Sequence, residues 1–529
     1  MRFGRTGVVI RLREGHRLRW AFGVLCVITV ALFSWVQASG NFPDPDGGYH
    51  GRMALLISER GPIHDFPWLA KTVFADSYVD HHFLYHVLLI PFVTFAPTLA
   101  EGMRLSAIVF AVVPVLAAPL VLRKLGVGSV SFVVPILMLV SHPLVFRLNL
   151  ARVPSLSLFA LLIGFYAATR MKARLLAFVA FGYVWLYDGW ILLPIVVVLT
   201  LLADGWVEWR ALDRSLRDFG RRSGGLLGAM MVGLLLGHVV NPYFPENIAF
   251  EWLHIVQIGF LGFRDQIGVG GEWYPYPFGA LVLGTPTTFI AAAGGAAAFL
   301  FALVRSNEAG QQLPKDRLRD TVALALFAAF MFVFTLRSKR NVEYFVPFTL
   351  LAAASAWDLY ASGRAWAWMG SVQSRTVRYA AALFVAVALS RVAARDLMGV
   401  RADFDSGSSP TKYSGLSAWL AQNTPDGTLV WHNDWDDFPF FFAQGTNNRW
   451  LVGLDPAFWF VRDPERFQEW VDMTQSRITD NLAERIVTDF GSHYAFVDRD
   501  HRALEKAFSN DPRMIKVYGD GDGTIFFVE

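Results

Sequence analysis

Two carboxylates, Asp44 and Asp46, stand with Tyr49 and His50 in the run Asp44-Pro45-Asp46-Gly47-Gly48-Tyr49-His50, directly after a long apolar stretch. Carboxylates so placed can take a proton, hold a cation or cap a helix. Asp46 is positioned to cap a helix-like stretch that starts at Tyr49 and stops at Gly61-Pro62, and one side chain can fill both roles. Charge at the end of a membrane span is costly and is usually kept for function. Asp80, His81 and His82 follow, then Tyr85 and His86. His82 and His86 are one helical turn apart, as metal ligands can be, but the glutamate and third ligand of a zinc hydrolase are missing. A polar helix start facing lipid headgroups accounts for the same residues.

Basic residues form the second group: Arg147 and Arg152, then Arg337, Lys339 and Arg340, with Glu272 in Gly270-Gly271-Glu272-Trp273-Tyr274-Pro275. Guanidinium and ammonium groups at headgroup level bind phosphate through charge-assisted hydrogen bonds, or pair locally, as Arg340 with Glu343 would. The third group is Trp431-His432-Asn433-Asp434-Trp435-Asp436-Asp437, just after a predicted strand. Its aromatics and carboxylates suit a sugar or peptide groove, or a turn capped by its own side chains.

The elements that must carry these residues are mostly membrane helices. In 529 residues, 54% are hydrophobic and 17% charged, and the apolar ones lie in long uncharged runs. That excludes a disordered chain and a large soluble enzyme. Runs at about 20–38, 104–123, 127–146, 153–169, 174–187, 189–204, 224–241, 278–304, 320–336, 342–360 and 377–394 predict eleven spans, with a cytoplasmic N-terminus. A twelfth run, 82–98, fixes the sidedness of everything after it. If it lies in the outer leaflet without crossing, 23 arginines and lysines share the inner side, whereas crossing would move 17 of them outside. The predicted outer segments are then 39–103, 143–152, 242–277 and 337–341, and the chain ends in an outer α/β domain over 400–529, periplasmic in a Gram-negative cell. The net charge of +3 comes from loop arginines and gives no argument for nucleic acid. Cys26, the single cysteine, excludes disulfides and cysteine-ligated metals.

This layout resembles the GT-C superfamily of integral-membrane glycosyltransferases, and within it the oligosaccharyltransferase catalytic subunit and its bacterial relatives. Asp46-Gly47-Gly48-Tyr49 is similar to the first-loop acidic motif with its catalytic or metal-binding aspartate, Glu272 to the glutamate of a long outer loop, Arg340 to the arginine near the lipid-linked donor, and Trp435-Asp436 to the end of the Trp-Trp-Asp acceptor motif. The resemblance implies a GT-C-like membrane domain over 1–399 and a polyprenyl phosphate or diphosphate donor in the bacterial inner membrane. Asp46, Asp44 and Glu272 would be catalytic. Arg340, Lys339, Arg337, Arg147 and Arg152 would bind the donor phosphate. Tyr49, His50, Asp80, His81, His82, Asp434, Trp435, Asp436 and Asp437 would line the substrate site, the acceptor being a protein, glycan or lipid. It also implies a divalent cation, magnesium or manganese, on Asp46 and Glu272. Two departures stand against full transfer. The segment 143–152 lacks the second acidic motif, leaving few ligands for a hard cation, and Asp434 replaces the first tryptophan, which argues for a different acceptor. A lipid or solute transporter, or a non-enzymatic envelope-assembly subunit, would use the same helices differently. Transporters place ionisable groups at mid-membrane, where Asp188 and His238 are the candidates, both near span ends.

Overall fold

The computed structural model describes residues 4–128, 130–210, 216–308, 312–361 and 375–529. Of the basic residues counted for sidedness, Arg2, Arg214 and Arg364 lie outside them. The chain is an integral membrane protein built mostly of helices, closed by a small sheet domain. Six helices are long and apolar enough to cross a bilayer: His16–Gln37, Leu99–Lys124, Asp188–Arg210, Asp218–Val239, Pro286–Glu308 and Lys315–Thr335. At 1.5 Å per residue their 21 to 26 residues match a hydrocarbon core of about 30 Å. The helix Val342–Ala361 sits inside the bundle, with most of its side chains buried.

Two expected spans are broken, and proline is the main reason. The run 127–146 is two short helices, Val133–Leu139 and His142–Asn149, the second opening with Pro143. That second helix meets Pro154–Thr169 at 107°. Proline starts a helix well but cannot continue one, so Pro154 forces this corner and leaves Arg147 and Arg152 beside it. The run 278–304 likewise splits into Phe278–Gly284 and Pro286–Glu308. The run 82–98 is the 13-residue helix Phe83–Phe95, about 20 Å long and shorter than the hydrocarbon core.

The segments 39–103, 143–152, 242–277 and 337–341 meet at one end of the bundle. Arg152 binds Asp44, and the Ser338 hydroxyl donates to the Glu272 carbonyl at 2.8 Å. Phe42 and Ser408 exchange both backbone hydrogen bonds at 2.9 Å. The basic loops gather elsewhere: Arg170 pairs with Asp320 at 2.8 Å, and Arg317 with Asp358 at 2.6 Å. The loops thus sort into the two groups that charge alone assigned.

The tail holds a five-stranded mixed sheet in the order β2-β1-β3-β5-β4, with β1 at Leu429–His432, β2 at Arg449–Trp450, β3 at Tyr494–Asp498, β4 at Met514–Gly519 and β5 at Gly523–Val528. β1 runs parallel to β2 and β3, while β5 is antiparallel to β3 and β4. Tail helices include Ser414–Asn423, Phe438–Ala443, Pro464–Thr474, Leu482–Thr488 and Arg502–Asn510. The helix Arg375–Asp405 runs straight through the expected boundary at 400. The tail's core is shared with the first loop: Tyr49, Met53, Phe66 and Phe74 pack in one cluster with Phe438, Phe442, Trp450 and Phe458. Main-chain bonds join the two as well. Trp450 donates to the Trp68 carbonyl at 2.7 Å, and Ala70 donates to that of Trp450 at 2.8 Å, so residues 68–71 extend the sheet beyond β2.

Candidate active site

The helix Asp46–Arg60 brings the first carboxylates into place. It begins at Asp46, three residues earlier than expected, and Asp46 is not its cap. Asp44 makes the local turn instead, its carboxylate accepting from the Asp46 amide at 2.9 Å. The Asp46 carboxylate is thereby left to face Arg152 at 2.9 Å.

Arg152 also binds Asp44 at 2.7 Å and reaches Glu272 at 3.4 Å, so three carboxylates from two outer segments converge on one guanidinium. Glu272 bonds Arg147 at 2.6 Å, and Arg147 bonds the buried Glu343 at 2.9 Å. Glu343 therefore partners Arg147, where sequence proximity suggested Arg340. A magnesium or manganese ion on Asp46 and Glu272 does not fit this arrangement, because an internal cation occupies the space between them. Arg147 and Arg152 are already neutralised, unlike Arg340 and Lys339, which make no ion pair among the described residues. Arg340 lies over the Trp273 ring at 4.4 Å and donates to the Tyr187 hydroxyl, and Lys339 lies 5.9 Å from the Tyr276 ring.

Burial has unequal effects on these carboxyls. It is the largest influence on Asp46 and pushes it up to about 7; Arg152 pulls it down, and Asp44, Glu272 and Asp455 add to the rise. Burial would raise Glu272 too, but Arg152 and Arg147 outweigh it and hold that carboxyl well below the usual range. On the tail, burial pushes Asp436 up to about 8, aided by Asp434, Asp46 and Asp44.

A cavity of about 510 Å³ collects most of the expected site. Asp44, Asp46, Tyr49, His50, His81, His82, Arg147, Arg152, Glu272, Lys339, Arg340, Trp435 and Asp436 all line it. Four expected residues stand apart. Arg337 lines a neighbouring cavity of about 230 Å³, its guanidinium donating to the Phe260 carbonyl. Asp80 is buried against His86 at 2.7 Å, Asp434 caps the turn Trp435–Asp437, and buried Asp437 accepts from the Tyr413 hydroxyl at 2.6 Å. The spacing of His82 and His86 does not make a metal pair either. His86 is held between Asp80 and His50, whose ring nitrogen lies 2.8 Å away.

Tyr187, His254, Asp455 and Tyr276 also line the larger cavity and were not expected there. Asp455 comes from the run Gly453-Leu454-Asp455-Pro456, where glycine, aspartate and proline together in a turn-like stretch were the available signal. His254 lies in the π-helix Trp252–Leu261, where a single histidine in an apolar run was the only hint. With His81 and Asp188 it forms a group of potential metal ligands whose donor atoms lie within 4.8 Å of one another.

No family model and no curated protein matches the chain. Solved structures do. ArnT from Cupriavidus metallidurans bound to undecaprenyl phosphate is 16% identical at a TM-score of 0.51, over 99% of this chain and 98% of that one. The Archaeoglobus fulgidus oligosaccharyltransferase in complex with zinc and sulfate is 13% identical at 0.52, over 95% and 73%. Mycobacterial arabinofuranosyltransferase AftD is 16% identical at 0.55, over 96% of this chain and 40% of its own length. All three are GT-C glycosyltransferases, and the chain has their fold. The first loop, the membrane bundle and the tail all lie within the span that shares that fold.

Proposed function

We propose that the chain is a membrane glycosyltransferase that moves a sugar or glycan from a polyprenyl phosphate or diphosphate to an acceptor on the outer face, with inversion. One observation carries this reading: a polar cavity faced by Asp46 and Asp436 joins an apolar groove, and Arg340 stands at the junction. Ile191, Ile195, Ile258, Phe260 and Phe334 line the groove, and Tyr187, His254, Trp273 and Arg340 line both spaces. A molecule with a hydrocarbon tail, a phosphate and a sugar matches that sequence of surfaces. ArnT, a structure of the same fold, is bound to such a lipid phosphate.

In the proposed reaction the ionised Asp46 accepts the proton of the acceptor hydroxyl or amide. The acceptor atom bonds to the anomeric carbon as the bond from that carbon to the phosphate oxygen breaks. The electron pair leaves with the phosphate, whose charge Arg340 and Lys339 stabilise. Arg147 and Arg152 act on the carboxylates, orienting Asp46 and Glu272. Trp435 and Asp436 contact the acceptor, and Tyr49, His50 and His82 complete the wall. Sidedness follows the basic residues, with the N-terminus inside a plasma membrane, the tail outside, and the division near residue 400 being one of chemistry more than of packing.

The direct test is transfer by purified protein from a polyprenyl-phosphate sugar. Asp46→Asn is expected to lower turnover by about 10²- to 10⁴-fold while leaving donor binding and the melting temperature near wild type. Wild-type turnover in that variant would refute the base assignment. Vesicle-to-vesicle lipid movement that survives the substitution would favour the transporter.

A further inference from the structure

We infer that His81, Asp188 and His254 form a binding site for one divalent transition-metal ion of the zinc type, separate from the Asp46 cluster. Three segments remote in sequence supply the ligands: the end of the first loop, the short helix Asp188–Ile191 at the start of a membrane span, and the π-helix Trp252–Leu261. Their donor atoms lie within 4.8 Å of one another. His254 Nδ1 already meets the Asp188 carboxylate, and His81 Nε2 lies 3.9 Å from the same oxygen. In a tetrahedral zinc site, with ligands at about 2.0–2.2 Å from the ion, donor atoms stand about 3.4 Å apart. Closing the group therefore takes about an ångström of side-chain movement.

The surroundings favour an ion over a simple hydrogen bond. The two imidazoles have ring centres 4.8 Å apart and share one carboxylate, an arrangement that leaves one histidine without a full bond to it. Phe250 stacks on the His254 ring at 5.6 Å and lies 5.1 Å from that of His81, so apolar packing holds both rings in place. Asp188 and His254 line the apolar groove, while His81 and His254 line the polar cavity. A fourth coordination position is thus open to a water or a phosphate oxygen. Two nitrogens and one carboxylate oxygen select zinc, manganese, iron or cobalt over calcium and magnesium, which prefer all-oxygen shells. A bound ion would tie the first loop to the membrane bundle at the wall common to both spaces.

The test needs neither donor nor acceptor, so its outcome is independent of the transferase reading. Full-length protein in detergent is stripped with chelator and titrated with cobalt(II), whose visible bands report the ligand field; zinc, manganese and iron(II) are then competed against it. One equivalent of cobalt, displaced by zinc, is expected. His81→Ala and His254→Ala are each expected to weaken binding at least 10-fold, with Asp188→Asn behaving likewise, while His64→Ala and Asp46→Asn leave it unchanged. Size-exclusion profile and melting temperature confirm that each variant is folded. Should a variant fail to fold, X-ray absorption on the wild-type cobalt form decides, with two imidazole nitrogens expected in the shell. Stoichiometry near zero, a shell without imidazole, or binding unaffected by both histidine substitutions would overturn the site.

Discussion

Asp46 is half-buried beside two other carboxylates; partial burial lifts its proton affinity, and Arg152 limits that rise to about 7. That balance sets a pH dependence. A base must be ionised to act, so activity should rise as pH passes through about 7, the value for the Asp46 carboxyl. Arg152 lowers that value, so Arg152→Ala should move the rising limb of the pH–rate profile to higher pH, and Arg152→Lys should move it less. A profile with an unchanged limb in both variants would remove Arg152 from control of the base. The sequence showed Asp44, Asp46, Glu272 and Arg340 as unusual, because charge beside a span stands out. It did not show that Arg152 faces carboxylates in place of phosphate, since the partners lie 108 and 120 residues away. Asp188 and His254, 66 residues apart, were not linked for the same reason: Asp188 reads as a charge near a span end and His254 as one histidine in an apolar run.

In the proposed reaction, separate elements serve donor and acceptor. The turn Trp435–Asp437 puts Trp435 and Asp436 against the cavity from the tail side, whereas the turn Lys339–Asn341 puts Arg340 there from the membrane side. Replacing Trp435 and Asp436 by alanine should raise the acceptor KM with donor binding near wild type, and Arg340→Ala should do the reverse; swapped effects would invert the assignment. The short helix Phe438–Ala443 holds that tail turn by packing on Asp46–Arg60. Phe442 touches Tyr49, Phe66 and Trp68 at ring-centre distances of 5.8, 5.5 and 5.2 Å. Phe442→Ala should cost about 3–5 kcal/mol and destabilise loop and tail together in one thermal transition. Two separate transitions would mean independent units. Helix type was legible wherever a run was long and apolar. Breaks at Pro143, Pro154 and Pro286 were visible as prolines, but whether each kinks or ends a helix depends on neighbouring packing.

At the scale of the whole molecule, the loops fall into two groups whose charges differ. Reporter fusions after Asp405 should read as outside and fusions within 210–222 as inside, and opposite sidedness would place the cavity in the cytoplasm. The main-chain bonds between residues 68–71 and Trp450 also bear on how the protein is made. Arg449 reaches back to the Pro67 carbonyl across 382 residues. At roughly 5–20 residues per second of synthesis, the first loop waits about 20–75 s for the strand that completes it. During that interval Phe66, Trp68 and Phe74, all apolar, have no tail to cover them, and a bare strand edge beside them invites wrong pairing. Assembly of this protein thus has a vulnerable stage that begins with its first loop and ends only with its tail, and a chaperone at the membrane surface that shelters nascent apolar segments would act there.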